Sequence, residues 1–240
     1  AVLPVGAAPA TLVLEGGSVQ IQSLVMAGSA GAGYTLNRSG AQELWMYVEG
    51  GSATLSVTGG THAVNVPVVL ESDLKVSVSD AAGVLTLGGG LRDRDAGVSA
   101  ALVKTGDGLL RLSSASAYKG ATLLQGGTLQ VLHAQALGAG TLVQDGGVFD
   151  VQNIAPALSS YAFNGGTLRM NLQKSLTVSG AVSLGGVVDV GGTMDAQVGR
   201  YTLLSAGSTI GGSVATGTLT DAVNFRLNVS GNRLDLQHRA

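Results

Sequence analysis

The chain has 240 residues, enough for one elongated domain with a sizeable core, yet its composition is skewed: 38 Gly, 45% hydrophobic, 12% charged and only 4% aromatic residues. Its 13 Lys and Arg are scattered singly in a net charge of −2, so no basic stripe exists to neutralise phosphates and nucleic acid is not a partner. With no cysteine, disulfides and thiolate metal sites are excluded, and no run reaches the ~18 apolar residues of a membrane-spanning helix, because the apolar residues alternate.

Residues 1–10 lack a basic region and a clean apolar core, so they read as a cut or processed end rather than a signal peptide. Period-two alternation predicts strands over 11–14, 18–26, 44–48, 53–57, 63–70, 74–79 and 84–87. Within this first segment, 1–100, Leu44-Trp45-Met46-Tyr47 is the one concentrated aromatic patch. Trp45 and Tyr47 read either as fillers of an end coil or as an exposed contact site. His62, beside Gly60 and Thr61, reads as a surface histidine in a turn. Residues 88–97 carry Leu91-Arg92-Asp93-Arg94-Asp95, the only dense charge cluster, and read as a protruding loop.

Beyond residue 100 a unit recurs: apolar, polar, Gly-Gly, then an alternating strand. It appears as Leu124-Gln125-Gly126-Gly127-Thr128-Leu129-Gln130-Val131, Gln144-Asp145-Gly146-Gly147-Val148-Phe149-Asp150-Val151 and Phe163-Asn164-Gly165-Gly166-Thr167-Leu168-Arg169-Met170. A weaker version follows at 184–190, and an early one is Leu14-Glu15-Gly16-Gly17-Ser18-Val19-Gln20-Ile21. First glycines at 126, 146, 165 and 185 set a period of 19 to 20 residues. Further strands are expected over 109–112, 121–124, 128–132, 141–143, 148–151, 161–163, 167–172, 176–178, 182–184, 187–190, 201–204, 225–229 and 233–236. Equivalent strands that return every twenty residues do not describe a meander of hairpins. They describe one face of a coil stacked on the last, a right-handed single-stranded parallel β-helix (β-solenoid) of about 20 residues per coil. Ten to twelve coils at ~4.8 Å make a rod on the order of 50 to 60 Å long.

Lys104-Thr105-Gly106-Asp107-Gly108, alternating aliphatics, Tyr118-Lys119-Gly120-Ala121-Thr122 and the close Gly127-Thr128-Leu129 together resemble the autotransporter-associated β-strand repeat. On that resemblance Gly106, Gly108, Tyr118, Gly120, Thr122, Gly127 and Leu129 are the motif residues, and 101–135 the repeat coils. Residues 136–240, with Tyr201-Thr202-Leu203-Leu204 and the closing pair Phe225-Arg226-Leu227-Asn228-Val229 and Asn232-Arg233-Leu234-Asp235-Leu236, resemble the autochaperone region of pertactin-like passengers. The resemblance implies export through the periplasm and outer membrane to the bacterial surface, by way of the protein's own C-terminal β-barrel, with the terminal coils folding first. Phe149, Phe163, Tyr201, Phe225, Leu227 and Leu234 are then the expected folding nucleus of a monomeric stem presenting an adhesin or virulence domain. Host surface or serum proteins are partners under the alternative reading of an adhesive face.

Catalytic chemistry finds little footing, and no enzyme, metal or cofactor is expected. His62, His133 and His238 lie outside any Gly-x-Ser-x-Gly context; His133 closes a strand and reads as structural, His238 as a surface residue. Parallel β-helices also host polysaccharide-acting enzymes, for which Asp145, Asp150 and Asp189, on roughly successive coils, are the nearest candidates.

Overall fold

In the computed structural model, residues 2–6, 9–29, 32–152, 154–192, 199–219 and 225–238 are described, the side chains of 3–6 and 238 excepted. The alternating segments stack into a parallel β-solenoid with no helix among the described residues. None of it therefore supplies a helix long and apolar enough to cross a membrane.

Each turn contributes one strand to each of two long faces. The first face holds ten parallel strands from Val2–Gly6 to Ile210–Gly212, and the second holds ten from Ala10–Leu14 to Ala215–Leu219. At ~4.8 Å per strand each face is about 43 Å long. The third face is built in two pieces. Val19–Ile21, Leu44–Met46, Val68–Leu70 and Leu91–Asp93 form the first, and Ala157–Leu158, Leu176–Val178 and Arg200–Ala206 lead into the second.

Turn length varies along the rod. Successive partners Leu102↔Thr122, Thr122↔Leu142 and Leu142↔Tyr161 step by 20, 20 and 19 residues, as the repeat predicts. Upstream, Ser23↔Thr54 steps by 31 and Leu74↔Leu102 by 28, because the third-face strands and their corners are inserted there. The mean is about 23 residues per turn.

Strict alternation sends every second side chain inward. His62, Leu85, Leu110, Leu129, Phe149, Leu168 and Val188 are in register along the second face and form one buried column. Small aliphatics dominate such columns because a parallel sheet repeats the same cross-section at every turn.

Several expected elements differ. The stretch 18–26 breaks at Gln22 into Val19–Ile21 on the third face and Ser23–Gly28 on the first. Likewise 63–70 divides into Thr61–Val64 and Val68–Leu70 around Pro67, which cannot donate to a ladder. The charged stretch at 88–97 is not a loop throughout: Leu91–Asp93 is a third-face strand paired with Val68–Leu70. Its charge is accommodated because Asp93, 7% exposed, accepts the amides of Ala100 (3.2 Å) and Lys119 (2.9 Å).

Candidate functional site

The motif residues lie where the chain turns between faces. Lys104 has the parity of Leu102, so it points inward and is fully buried at the end of its strand. Its ammonium donates to the carbonyl oxygens of Thr105 (2.8 Å), Gly106 (2.8 Å) and Gly126 (3.2 Å), tying one corner to the next. Burial pulls the ammonium down from 10.5 to about 8, with the Asp107 charge opposing. Gly127 adopts φ +65°, and a Cβ there would stand 2.3 Å from the Gly106 carbonyl oxygen and 2.4 Å from that of Gly108. Only glycine fits a corner packed so closely on its predecessor.

Tyr118 is the counterpart on the opposite corner. It is fully buried, and its hydroxyl shares a 2.5 Å hydrogen bond with Thr122. Burial pushes its phenol well above the ordinary range; the Thr122 bond opposes this and the Asp93 charge adds to it. Gly120, between them in sequence, lies flat on the preceding turn, where a Cβ would meet the Ala100 carbonyl at 2.2 Å. Gly108 is buried at its corner and Leu129 sits in the inward column. Lys104 opens the Lys-x-Gly-x-Gly motif, and its inward position follows from its parity with Leu102.

Two turns later Gln144 occupies the Lys104 position, in register through Leu124. Its amide donates to the carbonyls of Gly147 (3.1 Å) and Thr167 (3.0 Å) and its oxygen accepts the Tyr161 hydroxyl at 2.6 Å. Tyr161 joins two expected nucleus residues: it meets Phe149 edge-on at 6.0 Å and stacks on Phe163 at 5.5 Å. The aromatic residues do not form one cluster, since Tyr201 and Phe225 make a separate pair at 6.0 Å near the chain's end.

That end is built differently from the rest. Phe225–Ser230 and Arg233–His238 form an antiparallel hairpin whose second strand pairs antiparallel with Arg200–Ala206, itself the last parallel strand of the third face. Leu234 is fully buried and Leu227 half-buried against the core. Asp235 is buried with Arg200 at 3.3 Å and Arg233 at 3.4 Å, and Arg233 also donates to the Thr202 hydroxyl.

On the outside, Arg111, Gln130, Asp150, Arg169 and Asp189 are in register as a polar column on the second face. Arg111 donates to Gln130 at 2.8 Å and Gln130 to Asp150 at 3.1 Å. Asp150 and Asp189 are thus two turns apart with Arg169 between them, while Asp145 sits at a corner and accepts from Asn164 at 2.8 Å. Among the described residues no group of three His, Cys, Asp or Glu could hold a metal ion.

Trp45 faces outward on the third face, since Leu44 and Met46 take the inward positions; it is half-buried and donates to Glu43 at 3.2 Å, and Tyr47 is half-buried too. Arg92 grips both Glu43 oxygens at 2.8 Å. His62 is not a surface residue: it is 1% exposed and stacks on Tyr34 at 5.8 Å. Its Nδ1 accepts the Tyr34 amide at 3.0 Å, so Nε2 carries the proton and donates to the Gly59 carbonyl at 2.7 Å. His133 is half-buried and its Nδ1 accepts the Gln135 amide at 3.1 Å; the His238 side chain lies outside the described residues.

A family model described as the passenger-associated-transport-repeat matches residues 102–131, the turns knitted by Lys104 and Tyr118. The adhesin BmaC autotransporter of Brucella suis biovar 1 (strain 1330) is 34% identical over 135 residues. The match covers 53% of this chain and 4% of that protein's length.

Proposed function

We propose that this chain is a segment of an autotransporter passenger built of β-repeats, exported through the outer membrane to the cell surface, and that it is a stem whose residues 136–240 nucleate passenger folding. The observation that carries the reading is the way the last turns are closed: an antiparallel hairpin, Phe225–Ser230 with Arg233–His238, pairs on Arg200–Ala206, whereas the stacked turns before it are parallel.

A solenoid turn cannot bury its inward face alone, so the first stable turn costs the most entropy and later turns add more easily. A capped end with its own aromatic pair lowers that first cost, and the turns stacked on it template those that follow. On this reading Phe149, Phe163, Tyr201, Phe225, Leu227 and Leu234 belong to the nucleus. The stem connects to an outer-membrane β-barrel of the same protein and presents an adhesin or virulence domain. Host surface or serum proteins are partners only on the alternative reading, in which a face of the solenoid itself adheres. We read the role as structural and not catalytic, because Arg169 occupies the gap between Asp150 and Asp189 that a reacting group would need.

Two truncations test this. A chain ending at residue 200 is expected to be digested rapidly in limited proteolysis, whereas one starting at 101 stays resistant. Equal resistance of both would sink the proposal.

A further inference from the structure

The outward column on the second face changes character at its C-terminal end. From Arg111 to Asp150 it is closed on itself: Arg111 donates to Gln130, Gln130 to Asp150, and the other Asp150 oxygen accepts the Gln152 amide at 3.1 Å. Arg169 has a carboxylate one turn to either side, yet it approaches Asp150 only to 3.9 Å and makes no ion pair with Asp189. Its side chain is 38% exposed and borders an open groove of about 300 Å³, together with Gln152, Asp189, Gly191 and Thr218. Asp189 is fixed from behind, one oxygen accepting the Thr218 amide at 2.7 Å. The Gln152 amide nitrogen lies over Gly191, where a Cβ would stand 3.2 Å from it.

The groove therefore offers an underused fork of N–H donors on Arg169, an oxygen of Asp189 with accepting capacity left, and an amide. These groups also decide what can enter. An anion meets the fields of Asp150 and Asp189, a metal ion or ammonium meets Arg169, and an apolar ligand would strand charged groups without water. What remains is a neutral ligand carrying donors and acceptors side by side. We propose that this groove binds a neutral sugar through two adjacent hydroxyls: one donates to Asp189, and the oxygens of both accept from Arg169 and Gln152. The volume suits a single pyranose unit at the lower limit of ligand pockets, and Gly191 adds no side chain to the lining. This inference is independent of the folding role, since the groove lies on the outer surface.

Saturation-transfer NMR on the full 240-residue chain, using methyl glycosides of glucose, galactose and mannose beside N-acetylneuraminic acid and heparin oligosaccharides, provides the test. At least one neutral glycoside is expected to receive saturation, with an affinity on the order of millimolar. Arg169→Ala and Asp189→Asn are expected to weaken it about tenfold or more, while Asp145→Asn, at a corner outside the groove, leaves it unchanged. Thermal melts of all three variants close to that of the parent chain separate loss of the site from loss of the fold. The proposal is overturned if no neutral glycoside receives saturation, if only the anionic sugars do, or if binding survives both groove substitutions.

Discussion

The Lys104 ammonium reaches the carbonyl oxygen of Gly126, 22 residues further along the chain, at 3.2 Å. One side chain thereby joins two successive corners of the rod, and it does so as a charge in an interior built mainly of aliphatic side chains. The arrangement is a compromise: burial disfavours the ammonium, while three carbonyl dipoles hold it.

A pH dependence follows from that compromise. The Lys104 ammonium titrates near 8 in the folded chain and near 10.5 when unfolded. Between those values the unfolded state binds a proton that the folded state has released, so stability rises with pH across about 8 to 10.5 and is flat with respect to this group below 8. Chemical denaturation at intervals from pH 7 to 10.5 is expected to show the rise in the parent chain and its loss in Lys104→Met. Parallel profiles for the two chains would refute the assignment.

The same substitution measures what the corner is worth. Lys104→Met keeps the inward aliphatic stem but leaves the carbonyls of Thr105, Gly106 and Gly126 without this donor. Buried acceptors deprived of a partner cost about 1–3 kcal/mol each, partly offset by relief of the buried charge. A net loss of about 2–4 kcal/mol in urea unfolding at pH 7 is expected. A change below about 0.5 kcal/mol would show that water replaces the ammonium at no cost.

Corner glycines of one pair should respond very differently. Gly127 has φ +65° and its added Cβ would meet backbone oxygens at 2.3 and 2.4 Å, which cannot swing aside. For Gly126 the nearest atom is 3.7 Å away and φ is not positive. Gly127→Ala is expected to destabilise by more than about 2 kcal/mol, and Gly126→Ala by less than about 0.5 kcal/mol. Comparable midpoints for the two variants would contradict this packing.

How much of this was legible in the sequence depends on parity and spacing. The Gly-Gly period located the corners at Gly127, Gly147 and Gly166, all of which have positive φ, and alternation located Leu129, Phe149 and Leu168 on the inward side. Lys104 and His62 were legible in principle, because they share the parity of Leu102 and Val64, yet a polar residue in an apolar column is normally read as outward. What reverses that reading is the supply of backbone partners at a corner, which only the stacked turn provides. The strand Leu91–Asp93 was hidden for the same reason: Asp93 is tolerated inside because the amides of Ala100 and Lys119 converge on it from beyond the strand. The Arg169 groove needed the register of three turns, Asp150 on Arg169 on Asp189, and residues 19 and 20 positions apart carry no joint signal until the turn length is known.

His62 supplies the last prediction. Its ring stacks on Tyr34, and its two nitrogens serve the Tyr34 amide and the Gly59 carbonyl, closing an inward position that the turns from Leu85 to Val188 fill with an aliphatic or aromatic residue. His62→Leu matches those later turns in hydrophobicity, so propensity and burial alone make it neutral or stabilising. The hydrogen bonds point the other way, because leucine leaves the Tyr34 amide and the Gly59 carbonyl without the partners that the ring supplies, at about 1–3 kcal/mol each. The second effect outweighs the first, since the histidine ring already fills the space and little apolar area is gained. His62→Leu is therefore expected to lower stability by about 1–3 kcal/mol, with faster amide hydrogen exchange at Tyr34 and unchanged exchange around Leu129. A variant as stable as the parent chain, with Tyr34 still protected, would mean that another acceptor takes over the amide and that the ring contributes only its volume.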